Sequence, residues 1–247
     1  MKYLMRIRSV RSFFSGSAGI LYLKELRQLV MLAGVFPAAA LMLAGAAWPY
    51  WFSLPDIRTY YSGFPFLMAL FLPLLTMNSW AWEYRSGTRL ILLALPVPER
   101  TLVLAKFFAL CTCWLAILML SLPVPLLLSL HAQGASSQIL PSLAALALYG
   151  ISALAIGQLA SNLMRSPVPA FLATCLILLS VNNLHRLPGM LPIDPRITGW
   201  LTRMSFVWRF DNLNKGILDS RDLLFFIVPA LGALYLDLML LKSRRHQ

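Results

Sequence analysis

Acidic residues are scarce in this chain. Nine Asp and Glu stand against 21 Lys and Arg, and charged residues make up only 12% of the 247 positions. A soluble globular domain carries about twice that charged fraction. So thin a polar coat excludes an ordinary water-soluble domain. Cysteine is nearly lacking as well: Cys111, Cys113 and Cys175 all fall inside apolar runs. A disulfide framework needs cysteines in water-exposed loops, so none is expected. Cys111 and Cys113 form a C-x-C, but helical residues two apart point about 200° away from each other, which is poor chelating geometry. They read as small packing residues.

Other absences narrow the chemistry. There is no G-x-x-x-x-G-K-[ST], so the chain does not cradle nucleotide phosphates in the P-loop manner. There is no H-E-x-x-H, and His131, His185 and His246 are scattered, so no metal site is expected. No G-x-S-x-G elbow is present, and no catalytic residue is assigned. No repeat of fixed period and no low-complexity segment occurs. The net charge of +12 raises the question of nucleic acid. No basic patch interleaved with exposed aromatics supports it, and the cations sit between apolar runs, where membrane topology explains them.

What the chain has in abundance is apolar residues, 59% of the total. A spanning helix needs about twenty of them in a row, from a rise of about 1.5 Å per residue across about 30 Å of hydrocarbon. Six segments fit, giving an all-α membrane protein with one transmembrane domain over residues 1–247. They are Leu29–Phe52, Phe64–Trp80, Leu102–Leu130, Ile139–Met164, Val168–Leu184 and Leu223–Leu241. Pro123 and Pro125 are expected to kink the outer end of the third. Lys2, Arg6, Arg8 and Arg11 resemble the start of a secretory signal, but no adequate apolar stretch follows before Lys24, so the segment reads as retained and cytoplasmic. With both termini inside, fourteen Lys and Arg fall on inner segments and seven on outer ones, as the positive-inside rule requires.

Two further stretches are amphipathic. Tyr22, Leu23, Leu26, Leu29 and Val30 share one helical face, with Lys24, Glu25, Arg27 and Gln28 on the other. The pattern suits a helix at the inner interface, or the first turns of a longer first span. In the long outer segment, Ile197, Trp200, Leu201, Met204, Val207 and Trp208 recur at helical spacing after Pro195, which reads as an interfacial or re-entrant helix. In the fourth span, Ala153, Gly157 and Ser161 make a small-x-x-x-small stripe for close helix packing, within the chain or across a dimer. Asp237 is the one acid deep in an expected span and reads as a snorkelled or paired side chain ahead of a proton relay.

The most distinctive region is residues 64–110. A Pro-containing span ends at Trp80–Trp82, and a charged loop from Glu83 to Arg100 follows. Inside the loop, Leu90–Leu95 is too short to cross a bilayer and is bounded by Gly87 and Pro96. It is either a docking helix or an ordinary interfacial turn. This pattern resembles the ABC-2 type permeases, and within them the GldF (gliding-motility) branch. The matching positions are Pro73, Met77, Glu83, Gly87, Thr88, Leu92, Leu93, Pro96, Val97 and Lys106. Lys24-Glu25-Leu26 resembles the branch's K-E-L ahead of the first span. Gly157, Ala160, Ser161, Ala170 and Phe171 resemble its G-x-x-A-S…A-F passage. Phe210-Asp211, Lys215 to Asp219 and Arg221-Asp222 resemble its outer motif. The family commonly has an acid where this chain has Leu90.

The resemblance implies a permease subunit of an exporter in a bacterial cytoplasmic (inner) membrane. Its partners would be a second permease subunit, same or related, membrane lipid and a separate ABC ATPase that holds the ATP and Mg. No cofactor would sit in this chain. ATPase coupling would fall to Glu83, Arg85, Gly87, Thr88, Leu90, Leu92, Leu93 and Pro96, with Glu83 and Arg85 pairing with ATPase charges and Leu90–Leu95 filling its groove. Lys24, Glu25 and Arg27 would form a gate helix. Asp211, Gly216, Asp219, Arg221 and Asp222 would form the outer motif. Few polar residues lie in the spans, namely Asn78, Gln158, Asn162, Asn182 and Asn183, which favours an amphipathic, lipid-linked or bulky substrate moved outward. Two other readings stand beside this one: a non-transporting scaffold or maturation-complex subunit with the same fold, and an intramembrane enzyme.

Overall fold

A computed structural model describes residues 17–31, 61–88, 92, 97–123, 125–126, 136–190, 194–216 and 219–245. The described elements are helices α1 (Ser17–Met31), α2 (Phe64–Thr76), α3 (Ala81–Arg85), α4 (Glu99–Ser121), α5 (Ser136–Leu163) and α6 (Pro167–Asn183). A 3-10 turn (Leu184–Arg186) and α7 (Leu187–Met190) follow, then α8 (Pro195–Met204), α9 (Phe206–Asn214) and α10 (Ser220–Arg245). No strand occurs among the described residues.

Five helical segments are long and apolar enough to cross a membrane: Phe64–Arg85, Glu99–Ser121, Ile139–Leu163, Pro167–Gly189 and Ser220–Arg244. They match the second to sixth expected spans. The expected first span falls largely outside the described residues, and its opening three residues continue α1. The chain is an all-α, multi-pass membrane protein. Its outward side chains agree with that: Phe66, Leu70 and Leu74 on α2, and Val168, Leu172 and Leu176 on α6, are all exposed at a spacing of four. Such apolar ridges are stable against lipid and costly against water.

The five segments alternate in direction. Tyr149 of α5 and Asn182 of α6 reach Pro65 at the start of α2. Asn162 of α5 and Asp237 of α10 meet at the opposite end, near Trp80. The central helix α5 packs on α2, α4, α6 and α10. The small-residue stripe is settled by this arrangement. A Cβ on Gly157 would collide with the Thr76 side chain, and Ser161 bonds the chain just after α2, so the stripe packs within the chain.

The expected kink at the outer end of the third span is present: α4 ends at Ser121, ahead of Pro123, which cannot donate to the hydrogen-bond ladder, and helical backbone resumes at Pro123, Pro125 and Leu126. Two local expectations need correction. The outer amphipathic stretch is two helices, parted at Ser205, whose backbone is extended (φ −75°, ψ 131°). Ser205 Oγ donates to Asn182 O at 2.9 Å, and that anchor holds the break. Of the expected apolar face, Ile197, Trp200 and Met204 are exposed and Leu201, Val207 and Trp208 half-buried; the residues of α9 that enter the core are others, Phe206, Phe210 and Leu213. On α1 the expected faces are rotated: Glu25 is buried and Leu23 is exposed, because α4 offers Glu25 a cation.

Candidate functional site

Lys106 lies in the second turn of α4 and is 3% exposed. Its Nζ donates to Glu25 Oε1 of α1, to Glu83 Oε1 of α3 and to Ser79 O, each at 2.8 Å. An ammonium has three N–H groups, and all three are used. Lys24 Nζ stands 3.9 Å from Glu25 Oε1 and 3.8 Å from Glu83 Oε1, at the solvent side. One buried cation therefore ties α1, α3 and α4 together. Two carboxylates without it would face each other in a low-dielectric site, which is strongly unfavourable.

The second span breaks beside this cluster. Helix α2 carries Pro73 and ends at Thr76, and α3 restarts at Ala81. The first N–H groups of a new helix lack intrahelical acceptors. Here the acceptor comes from another span: Ser161 Oγ of α5 receives Trp80 N at 3.0 Å and Ala81 N at 3.1 Å, and donates to Met77 O at 3.0 Å. That exhausts the capacity of a hydroxyl.

Trp80, fully buried, joins this cluster to a second polar centre. Lys106 Nζ lies 4.7 Å from the centroid of its ring, a cation–π distance. Its Nε1 donates to Asp237 Oδ2 at 3.2 Å. Asp237, also fully buried, further accepts Gln158 Nε2 at 2.9 Å and Asn162 Nδ2 at 2.6 Å. Asp237 is thus held inside the bundle by neutral donors. Arg244 then donates to Asn162 O at 3.1 Å and covers the Tyr84 ring. A continuous polar chain links α1, α3, α4, α5 and α10 at one end of the bundle.

The expected coupling residues separate here. Glu83 faces inward and is 3% exposed, whereas Arg85, Gly87 and Thr88 are exposed. Glu83 therefore serves Lys106, and of the expected charged pair Arg85 alone is presented outward. Gly87 has φ +72°, a left-handed conformation suited to glycine, and it closes α3. Leu92 is 6% exposed and packs with Trp80, Val97, Leu102, Val103 and Leu241 of the same chain. Leu90, Leu93 and Pro96 lie outside the described residues. Lys24 and Arg27 are exposed on α1.

At the other end, Asn182 Nδ2 donates to Pro65 O and to Tyr149 Oη, each at 2.9 Å, and Tyr149 sits edge-on to Phe206 and Phe210. The expected outer motif lies beside it. Asp219 Oδ1 receives Arg221 N at 3.1 Å and caps α10. Asp222 is buried and paired with Arg209, which also lies over the Phe225 ring. Gly216 has φ +81° and turns the chain after α9. Burial pushes the Asp211 carboxyl above the usual range, with Lys215 and His185 opposing the shift.

Sequence reasoning missed Trp80, Gln158, Ser161, Asn162 and Asp237 as one assembly. Gln158, Ser161 and Asn162 share a helical face at spacings of three and four, which was the available signal. Among the described residues no group of His, Cys, Asp or Glu is placed to hold a metal ion. A scan of protein-family models and a search of curated proteins find no match for this chain.

Proposed function

We propose that the chain is the membrane-spanning permease subunit of an ABC exporter, driven by a separate ATPase that docks on the loop from Glu83 to Arg100. The observation that carries the reading is the Glu25–Lys106–Glu83 cluster. It fastens the root of that loop to α1 and α4, and through Trp80 to Asp237 of α10. A loop fixed in this way transmits a displacement, whereas a loosely held one absorbs it. In this reading a further span within residues 29–52 places both termini on the cytoplasmic side. Arg85, with Gly87 and Thr88, meets the ATPase, and Glu83 acts through Lys106. Lys24, Glu25 and Arg27 form the gate helix.

Co-purification of the full chain from native membranes tests this. An ATP-binding subunit is expected to accompany it. Arg85→Glu is expected to weaken that association about tenfold, a loss of about 1.4 kcal/mol. Purification without any such subunit, under conditions that keep the chain folded, refutes the reading. ATPase association without substrate movement in vesicles supports the scaffold alternative.

A further inference from the structure

Helix α8 presents a sorted face. At about 100° per residue, Arg196 and Arg203 fall within about 20° of each other, and Trp200, Met204 and Ile197 spread over about the next 100°. All five are exposed, Trp200 to 70%. Thr198, Leu201 and Thr202 are half-buried on the other side. Single exposed apolar residues are ordinary, but an indole, an isoleucine and a methionine on one stripe of a ten-residue helix are costly against water. Neither arginine makes an ion pair among the described residues, and Asp194, just before the helix, pairs with neither. Over residues 184–204 three arginines stand against that one acid.

The place of α8 in the fold says what covers this face. It packs on the 3-10 turn that follows α6, within the last residues of the Pro167–Gly189 spanning segment. Ser205, at the end of α8, donates to Asn182 O and lies 3.0 Å from His185 Nδ1. The exposed apolar ridge of α6 is followed at this level by exposed Leu187. A helix fixed to the last turns of a spanning segment lies at the edge of the hydrocarbon. There, tryptophan settles at headgroup depth, isoleucine and methionine reach the acyl chains, and arginine meets the phosphates.

We infer that α8 lies flat on the bilayer surface and binds anionic phospholipid headgroups, with Arg196 and Arg203 on the phosphates and Trp200, Met204 and Ile197 on the acyl side. A zwitterionic headgroup carries its own cation beside the phosphate, so a pair of guanidiniums on one stripe favours the anionic lipid. The inference does not require the exporter reading, since lipid contact at Trp200 is measured without any ATPase.

Fluorescence quenching of the full chain in nanodiscs provides the test, with phosphatidylcholine or phosphatidylglycerol brominated either near the headgroup or near the tip of the acyl chains. Trp200 is isolated as the difference between the unaltered chain and Trp200→Phe. Shallow bromines are expected to quench it more than deep ones. Each arginine near an anionic surface contributes about fivefold, so the quenching is expected to give phosphatidylglycerol a relative affinity about tenfold above phosphatidylcholine. Arg196→Gln with Arg203→Gln, at exposed positions that leave the thermal midpoint unchanged, is expected to erase that preference while Trp200 stays quenched. Absence of quenching by either lipid means that protein, such as a second copy of the chain, covers the face, and it overturns the inference. Stronger quenching by deep bromines overturns it too. So does equal affinity for the two lipids, or a preference that survives the arginine changes.

Discussion

Lys106 and Ser161 each use every hydrogen-bonding position they have. Saturated groups of this kind are asymmetric in energy: the interaction contributes modestly, but removing one partner strands the rest. Lys106→Met leaves two buried carboxylates facing each other and is expected to cost about 3–5 kcal/mol. Adding Glu25→Gln and Glu83→Gln removes the stranded charges and is expected to restore more than half of the loss, read as thermal midpoints in detergent. Ser161→Ala orphans two backbone N–H groups and is expected to cost about 2–4 kcal/mol by the same measurement. A loss below about 0.5 kcal/mol would mean that water takes the place of the hydroxyl. These residues were hard to find from the sequence for a physical reason. Hydropathy places polar side chains towards water, and in a bundle they turn towards one another. Glu25 shows the failure on α1, where a polar position became the inward one because its counter-charge came from α4. Asp237 shows it on α10, where the three donors come from three separate positions on other segments.

At the scale of elements, runs of apolar residues located five spanning segments to within a few residues at most ends, because length against bilayer thickness is a coarse and robust constraint. Breaks were less legible. The interruption between α2 and α3 follows from Pro73 together with a hydroxyl offered by α5, and half of that cause lies about eighty residues away in the chain. The α8–α9 break depends in the same way on Asn182. The stripe on α5 carries its own test. Gly157→Ala drives a methyl into Thr76 and is expected to destabilise by about 1–3 kcal/mol. Thr76→Ala in the same chain is expected to relieve most of that loss. Full additivity of the two changes would show that the helices do not touch at this point.

For the whole molecule, the two ends are built differently. One end holds Lys106, Asp237, Trp80 and Arg244 in a linked polar chain, with Lys24, Arg27 and Arg85 presented outward. The other is closed by aromatic rings around Tyr149 and by the paired helices α8 and α9. Cations are exposed at the second end too, among them Arg196, Arg203 and Lys215, and counting charges along the chain offered no view of the buried wiring at the first.

The lone hydroxyl of Ser161 has a mechanical consequence. It works as a pin, set in one strut and passing through a cut in its neighbour. The short piece beyond that cut is held by three bonds to the pin, and by Glu83 to Lys106 and Trp80 to Asp237 besides, so it cannot swing by itself: to move it is to carry the neighbouring struts along.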